Sequence, residues 1–183
     1  ERIKKNFKKE YNVVNQAHKY CYESNTKIYN QSLLYWLNII PKKFDKITFT
    51  NQTSNELCKK INPIFIIGLP RSGSTLVEGI ISSGALKIEN GGETAVINSE
   101  IIKENKNIIF SKNFEKNYLS VDLENLSNNI LNRYKNLNLL QKQKKYFFTD
   151  KSLENFFYIE LILKIFPNAK FILCERDLND SIL

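Results

Sequence analysis

The stretch "FIIGLPRSGSTLVEGIISSG", Phe65 to Gly84, runs from a β-branched and aromatic segment through a small glycine-bearing turn into an apolar helix. That order builds a phosphate-binding loop. A helix N-terminus gathers unpaired backbone N–H groups and the positive end of the helix dipole. Gly68 and Gly73 let the backbone turn tightly and approach a ligand, and the hydroxyls of Ser74 and Thr75 add donors. The G-x4-G spacing matches the nucleotide-triphosphate loop, which continues with lysine and then Ser/Thr. Here Ser74 stands in the place of that lysine, and the cation of the turn is Arg71. The missing lysine argues against ATP or GTP hydrolysis and leaves open which anion the loop holds.

Outward from the loop, short apolar runs alternate with helical patterns. "IFIIG", "YFFTD" and "KFILCE" read as buried strands, and "ALKIENGGET" as a further short strand and turn. "STLVEGIIS" is expected to be a helix with Leu76, Ile80 and Ile81 on one side, and "AVINSEIIKEN" a helix starting near Thr94. "VDLENLSNNILNRYKNL" carries an N-cap at Asp122 and an apolar stripe at Leu123, Leu126, Ile130 and Leu131. "SLENFFYIELILKIF" reads as one helix capped by Ser152 and ended by Pro167. The alternation from Pro63 onward predicts an α/β fold with a P-loop-type parallel sheet flanked by helices. Residues 1–62 are expected to form a helical connector, with Phe7, Tyr11, Val14, Ala17 and Cys21 as a stripe and a second helix, "SLLYWLNII", stopped by Pro41. Residues 63–183 are the expected α/β domain.

The totals agree with a folded, anion-binding chain. The 183 residues suffice for a core, and 42% hydrophobic residues argue against global disorder. The net charge of +8 favours nucleotides and other anionic partners. No aromatic-basic motif marks a nucleic-acid binder. No apolar run reaches the ~20 residues of a membrane span, and no secretory signal is visible in the residues present. Cys21, Cys58 and Cys174 have neither zinc nor disulfide-framework spacing, so a reducing, cytoplasmic setting is expected. His18 lies in a polar helical stretch and reads as structural. The chain has no methionine and is expected to be a piece of a longer protein, cut at both ends.

"PIFIIGLPRSGSTLVEGIISS" resembles the 5′-phosphosulfate loop of sulfotransferases that use 3′-phosphoadenosine 5′-phosphosulfate. Among them it is most similar to bacterial enzymes carrying tetratricopeptide repeats and more distantly to the tyrosylprotein sulfotransferases. "TDKSLENFFYIELILKIFPNAKF" resembles the family's D-K-x-P-x-N segment, and "ILCERDLNDSIL" its 3′-phosphate segment. The resemblance implies sulfuryl transfer, without a metal, to a hydroxyl-bearing acceptor: protein tyrosine, a carbohydrate or a small molecule. It implies that Arg71 holds the phosphosulfate, that Ser72, Gly73, Ser74 and Thr75 cradle the 5′-phosphate, and that Arg176 binds the 3′-phosphate. Lys151 takes the place of the catalytic lysine. Glu93, in "GGET", stands where the tyrosylprotein enzymes carry a catalytic glutamate. The chain departs from the pattern at Leu153 and Leu178, which replace prolines, and at Glu175, where a basic residue is common. The family's partner serine falls beyond Leu183, so Ser181 is not its match. A P-loop kinase or NTPase-like protein and a non-catalytic helical interaction module are the competing readings.

Overall fold

The structure is a computed structural model that describes residues 7–34, 37, 48–109, 120–140 and 146–177. The chain falls into two compact units, Glu1–Asp45 and Lys46–Leu183.

The first unit contains one long helix, α1 (Phe7–Leu34). Its backbone leaves helical dihedrals at Asn25 (φ −120°, ψ 15°). There the Asn25 amide donates to the Cys21 carbonyl at 2.9 Å and the Thr26 hydroxyl to the Tyr22 carbonyl at 2.8 Å. Such side chains compete with the helical ladder for its carbonyls and bend it. The stripe from Phe7 to Cys21 is exposed, as is His18. The expected second helix ending at Pro41 lies mostly outside the described residues.

The second unit is the α/β body. In chain order it holds β1 (Thr48–Thr50), α2 (Glu56–Lys60), β2 (Ile61–Gly68), α3 (Ser74–Ser82), α4 (Val96–Ile109), β3 (Ser120–Asp122), α5 (Leu123–Asn136) and β4 (Tyr146–Asp150). A 3₁₀ turn (Leu153–Tyr158), α6 (Ile159–Ile165) and β5 (Lys170–Cys174) follow. The main sheet has the order β4-β2-β5, all parallel, with Phe65 opposite Asp150 on one side and Gly68 opposite Cys174 on the other. Glu89 forms an isolated parallel bridge to Phe148, so the run "ALKIENGGET" touches the free side of β4. β1 and β3 pair separately as a small parallel ribbon.

The compact unit begins upstream of Pro63, and β2 begins at Ile61. Pro63 is tolerated inside β2 because pairing with β5 starts only at Ile64, so that side is still an open edge. Upstream residues are tied in by polar contacts: the Ser54 N–H and hydroxyl donate to Glu124 at 2.6 and 3.0 Å, and the Asn168 amide donates to the Lys59 carbonyl at 2.6 Å.

The core lies around β2 and β4. Phe65, Ile66 and Phe148 are fully buried with Val96, Ile97 and Ile101 of α4 and Leu126, Ile130 and Tyr134 of α5. The expected stripe of α5 is its buried face, and Asp122 caps it by accepting from the Glu124 and Asn125 N–H groups. In helix α3 the buried side is not the apolar one. Leu76 and Ile80 are exposed, and the residue buried from this helix is Glu78. The run after Lys151 is not one α-helix. It opens as 3₁₀ because the Asp150 carboxylate pulls the Ser152 N–H and Asn155 amide into a tight turn. Ser152 does not cap through its side chain; its hydroxyl donates to Asp150 at 2.7 Å.

Glu104 gives the fold a pH dependence. Burial first, then the charges of Asp122 and Glu100, push its carboxyl above the ordinary 4.5. One oxygen accepts from the Asp122 N–H at 2.9 Å, while Oε2 is buried without a partner. A raised folded-state pKa means that the native chain holds more protons than the unfolded one just above 4.5. Stability contributed by this proton is present at low pH and is lost as pH rises through the raised value. Glu104→Gln should therefore reduce the fall in stability as pH rises above 4.5, measured as urea midpoints of the two proteins.

Candidate active site

β2 ends in Gly68, and the turn Leu69–Gly73 leads into α3. Gly68 has φ 149°, and an added Cβ would stand 2.4 Å from the Cys174 carbonyl oxygen, so the strand pair admits no side chain there. Arg71 adopts a left-handed φ of 67°, and Gly73 follows at φ 94°. Left-handed backbone costs a non-glycine residue roughly 1–2 kcal/mol, so this turn is held against a local preference.

Gly73 occupies the N-cap of α3 and supplies no side-chain cap. The first N–H groups of a helix have no intrahelical partner. The Leu76 and Val77 N–H groups bond to the Gly73 carbonyl, and no N-cap side chain serves the N–H groups before them. The Ser72 hydroxyl is buried without a hydrogen-bond partner. A buried orphan donor beside an uncapped helix start fits a phosphate-like group that would accept from both. Arg176, past the end of β5, places its guanidinium 3.4 Å from the Arg71 carbonyl. The structure thus brings Arg71, Ser72, Gly73, Ser74, Thr75 and Arg176 to one edge of the sheet, where the strands end. Open α/β sheets bind ligands at this edge. Leu178 and Ser181 lie outside the described residues.

At the C-terminal end of β4 stands the second group. The Lys151 ammonium lies 2.7 Å from Glu93 Oε1. Lys151 is only 8% exposed, whereas the Glu93 side chain is 67% exposed. A nearly buried cation thus faces an accessible carboxylate. Such a pair can take a proton from a hydroxyl and stabilise negative charge within a few ångströms of each other.

The turn carrying Glu93 is tied down by residues that sequence reasoning missed. Glu78 accepts from the Gly92 N–H at 2.9 Å and from the Thr149 hydroxyl at 2.6 Å. The Gly91 N–H donates to the Thr149 hydroxyl at 3.2 Å, and the Lys151 N–H to the Gly92 carbonyl at 2.9 Å. Thr94 donates to Asp150 at 2.5 Å, and the Ala95 N–H to Ser152 at 2.8 Å. The only sequence signal for Glu78 was a charge inside an otherwise apolar helix. Glu154 adds a further carboxyl, pushed up by burial and then by the charges of Asp150 and Glu93. Among the described residues no group of His, Cys, Asp and Glu gathers as a metal site.

An uncapped loop and a Lys–Glu pair thus stand on one edge of a parallel sheet. The family model described as "Sulfotransferase family" matches residues 63–183, and the chain belongs to that family. No curated protein and no solved structure matches the chain.

Gly91 and Gly92 make a test of the turn. A Cβ on Gly91 would meet the Thr149 carbonyl oxygen at 2.0 Å, whereas one on Gly92 (φ 65°) meets nothing within 4 Å. Gly92→Ala should cost only the left-handed backbone term, about 1 kcal/mol. Gly91→Ala must move backbone and should cost about 3 kcal/mol. Thermal unfolding of the two variants checks the order.

Proposed function

We propose that the protein transfers a sulfuryl group from 3′-phosphoadenosine 5′-phosphosulfate to an acceptor hydroxyl. The observation that carries this reading is the 2.7 Å Lys151–Glu93 pair on the same sheet edge as the uncapped loop. The donor supplies an activated sulfuryl group. The residues of the chain bind it, orient the acceptor and move its proton.

Ser72, Gly73, Ser74 and Thr75 would hold the 5′-phosphate through N–H and hydroxyl donors. Arg71 would hold the phosphosulfate and, with Lys151, stand against the charge released as the sulfur–oxygen bond breaks. Glu93 Oε would accept the hydroxyl proton as the acceptor oxygen bonds to sulfur. Arg176 would bind the 3′-phosphate. The Arg71 and Gly-Gly-Glu-Thr pattern favours a tyrosylprotein-like enzyme, so a tyrosine peptide is the first acceptor to test, against carbohydrate and small-alcohol acceptors.

The 3′-phosphate reading is checked by calorimetry. Adenosine 3′,5′-bisphosphate should bind more tightly than adenosine 5′-monophosphate, and Arg176→Ala should erase most of a preference worth ~1.5–3 kcal/mol. Equal affinities for the wild-type protein would remove Arg176 from the donor site.

The base is checked by single-turnover transfer. Glu93→Gln keeps a side-chain oxygen for Lys151 but accepts no proton, and should slow transfer ~10²–10⁴-fold while sparing bisphosphate affinity. Lys151→Ala should mainly slow transfer, and Arg71→Ala should weaken both binding and transfer. Near wild-type transfer by Glu93→Gln would reduce Glu93 to a structural residue.

A further inference from the structure

We infer that Asp150, with Tyr134 and Thr94, is the positioning centre that sets Glu93 and Lys151 against each other, an inference that rests on the function proposed above. Asp150 is fully buried and accepts five hydrogen bonds. Its Oδ1 takes the Ser152 N–H at 3.0 Å, the Ser152 hydroxyl at 2.7 Å and the Asn155 amide at 3.0 Å. Its Oδ2 takes the Tyr134 hydroxyl at 2.8 Å and the Thr94 hydroxyl at 2.5 Å. A carboxylate is acceptor-only and burying one is costly unless its oxygens are filled. Here both are filled.

The partners of this carboxylate flank the reactive pair. Lys151 follows Asp150 in the chain, and Thr94 follows Glu93. The clamp therefore grips the backbone one residue from each member, yet touches neither side chain in any bond it makes here. Thr94 is itself oriented, since its oxygen also accepts from the Val96 N–H at 3.2 Å. Ser152 repeats the link by accepting from the Ala95 N–H at 2.8 Å. Tyr134 comes from α5 and anchors the carboxylate from the core side, with its ring packed against Phe148 at 4.7 Å between centroids. Burial and the adjacent Asp150 charge push its hydroxyl well above the ordinary range, so it remains a donor. Glu93 is mostly exposed and has little packing of its own, so the placement of its carboxylate depends on the turn beneath it.

The test separates positioning from bulk stability. Thr94→Val removes the hydroxyl at nearly constant volume, Thr94→Ser restores it, and Tyr134→Phe deletes one donor while keeping the ring. In the full chain, Thr94→Val should lower kcat roughly 10²-fold, the loss a small misplacement brings. Affinity for adenosine 3′,5′-bisphosphate should stay unchanged, because the loop is untouched. Thr94→Ser should recover most of the rate, and Tyr134→Phe should lower kcat in the same direction. If Thr94→Val fails to fold, Tyr134→Phe decides. A folded Tyr134→Phe or Thr94→Val protein with wild-type kcat overturns the inference, as does a Thr94→Ser protein no faster than Thr94→Val. A wild-type protein that transfers nothing overturns the proposed function and this inference with it, whereas an active wild type matched by both variants overturns this inference alone.

Discussion

Strand β2 is paired on both sides, with β4 at one edge and β5 at the other. Its last residue, Gly68, has no lateral freedom, since even a Cβ would collide with the Cys174 carbonyl. The loop that follows must leave the sheet at that point and at no other. The register sets Cys174 of β5 level with Gly68, so Arg176 emerges beside the loop, whereas β4 ends opposite Phe65 and Lys151 leaves the same edge three residues lower. Three segments far apart in sequence reach one edge because parallel strands all end on the same side.

The layout of the sheet and the loop was legible in the sequence because both are written locally. Apolar runs of four to eight residues, a Pro-Arg-Ser-Gly-Ser-Thr turn and an apolar helix are contiguous patterns, and each maps to one element. Asp122 was legible as a cap for the same reason, since its acceptors serve N–H groups two and three residues on. The face of α3 was not legible. Its periodicity points to Leu76 and Ile80, yet Glu78 is drawn inward by the Gly92 N–H and the Thr149 hydroxyl. No local pattern reports a pairing between residues 71 positions apart.

The Glu93–Lys151 pair shows where the limit lies. Lys151 could be placed at a sheet edge from its neighbours and Glu93 was singled out by the family resemblance, but their 2.7 Å contact depends on the turn from Gly91 to Ala95 lying flat against the segment from Thr149 to Ser152. Gly91 permits that approach because it has no Cβ to meet the Thr149 carbonyl. The sequence displayed the two glycines but not which backbone they admitted.

Leu153 stands where the family's D-K-x-P-x-N pattern has proline, and the structure shows what holds the turn here. Proline would fix φ and remove a donor at that position. Leucine does neither, so the turn must be held from outside the residue. Asp150 does this through Oδ1, binding the Ser152 N–H on one side of Leu153 and the Asn155 amide on the other. The Asn155 N–H closes the turn on the Ser152 carbonyl at 3.1 Å. The segment after Lys151 is therefore fixed by a buried side chain rather than by a ring in the backbone. That makes the conformation of this turn depend on Asp150 more heavily than a proline-bearing turn would, and it draws one carboxylate into both the fold and the geometry of the site.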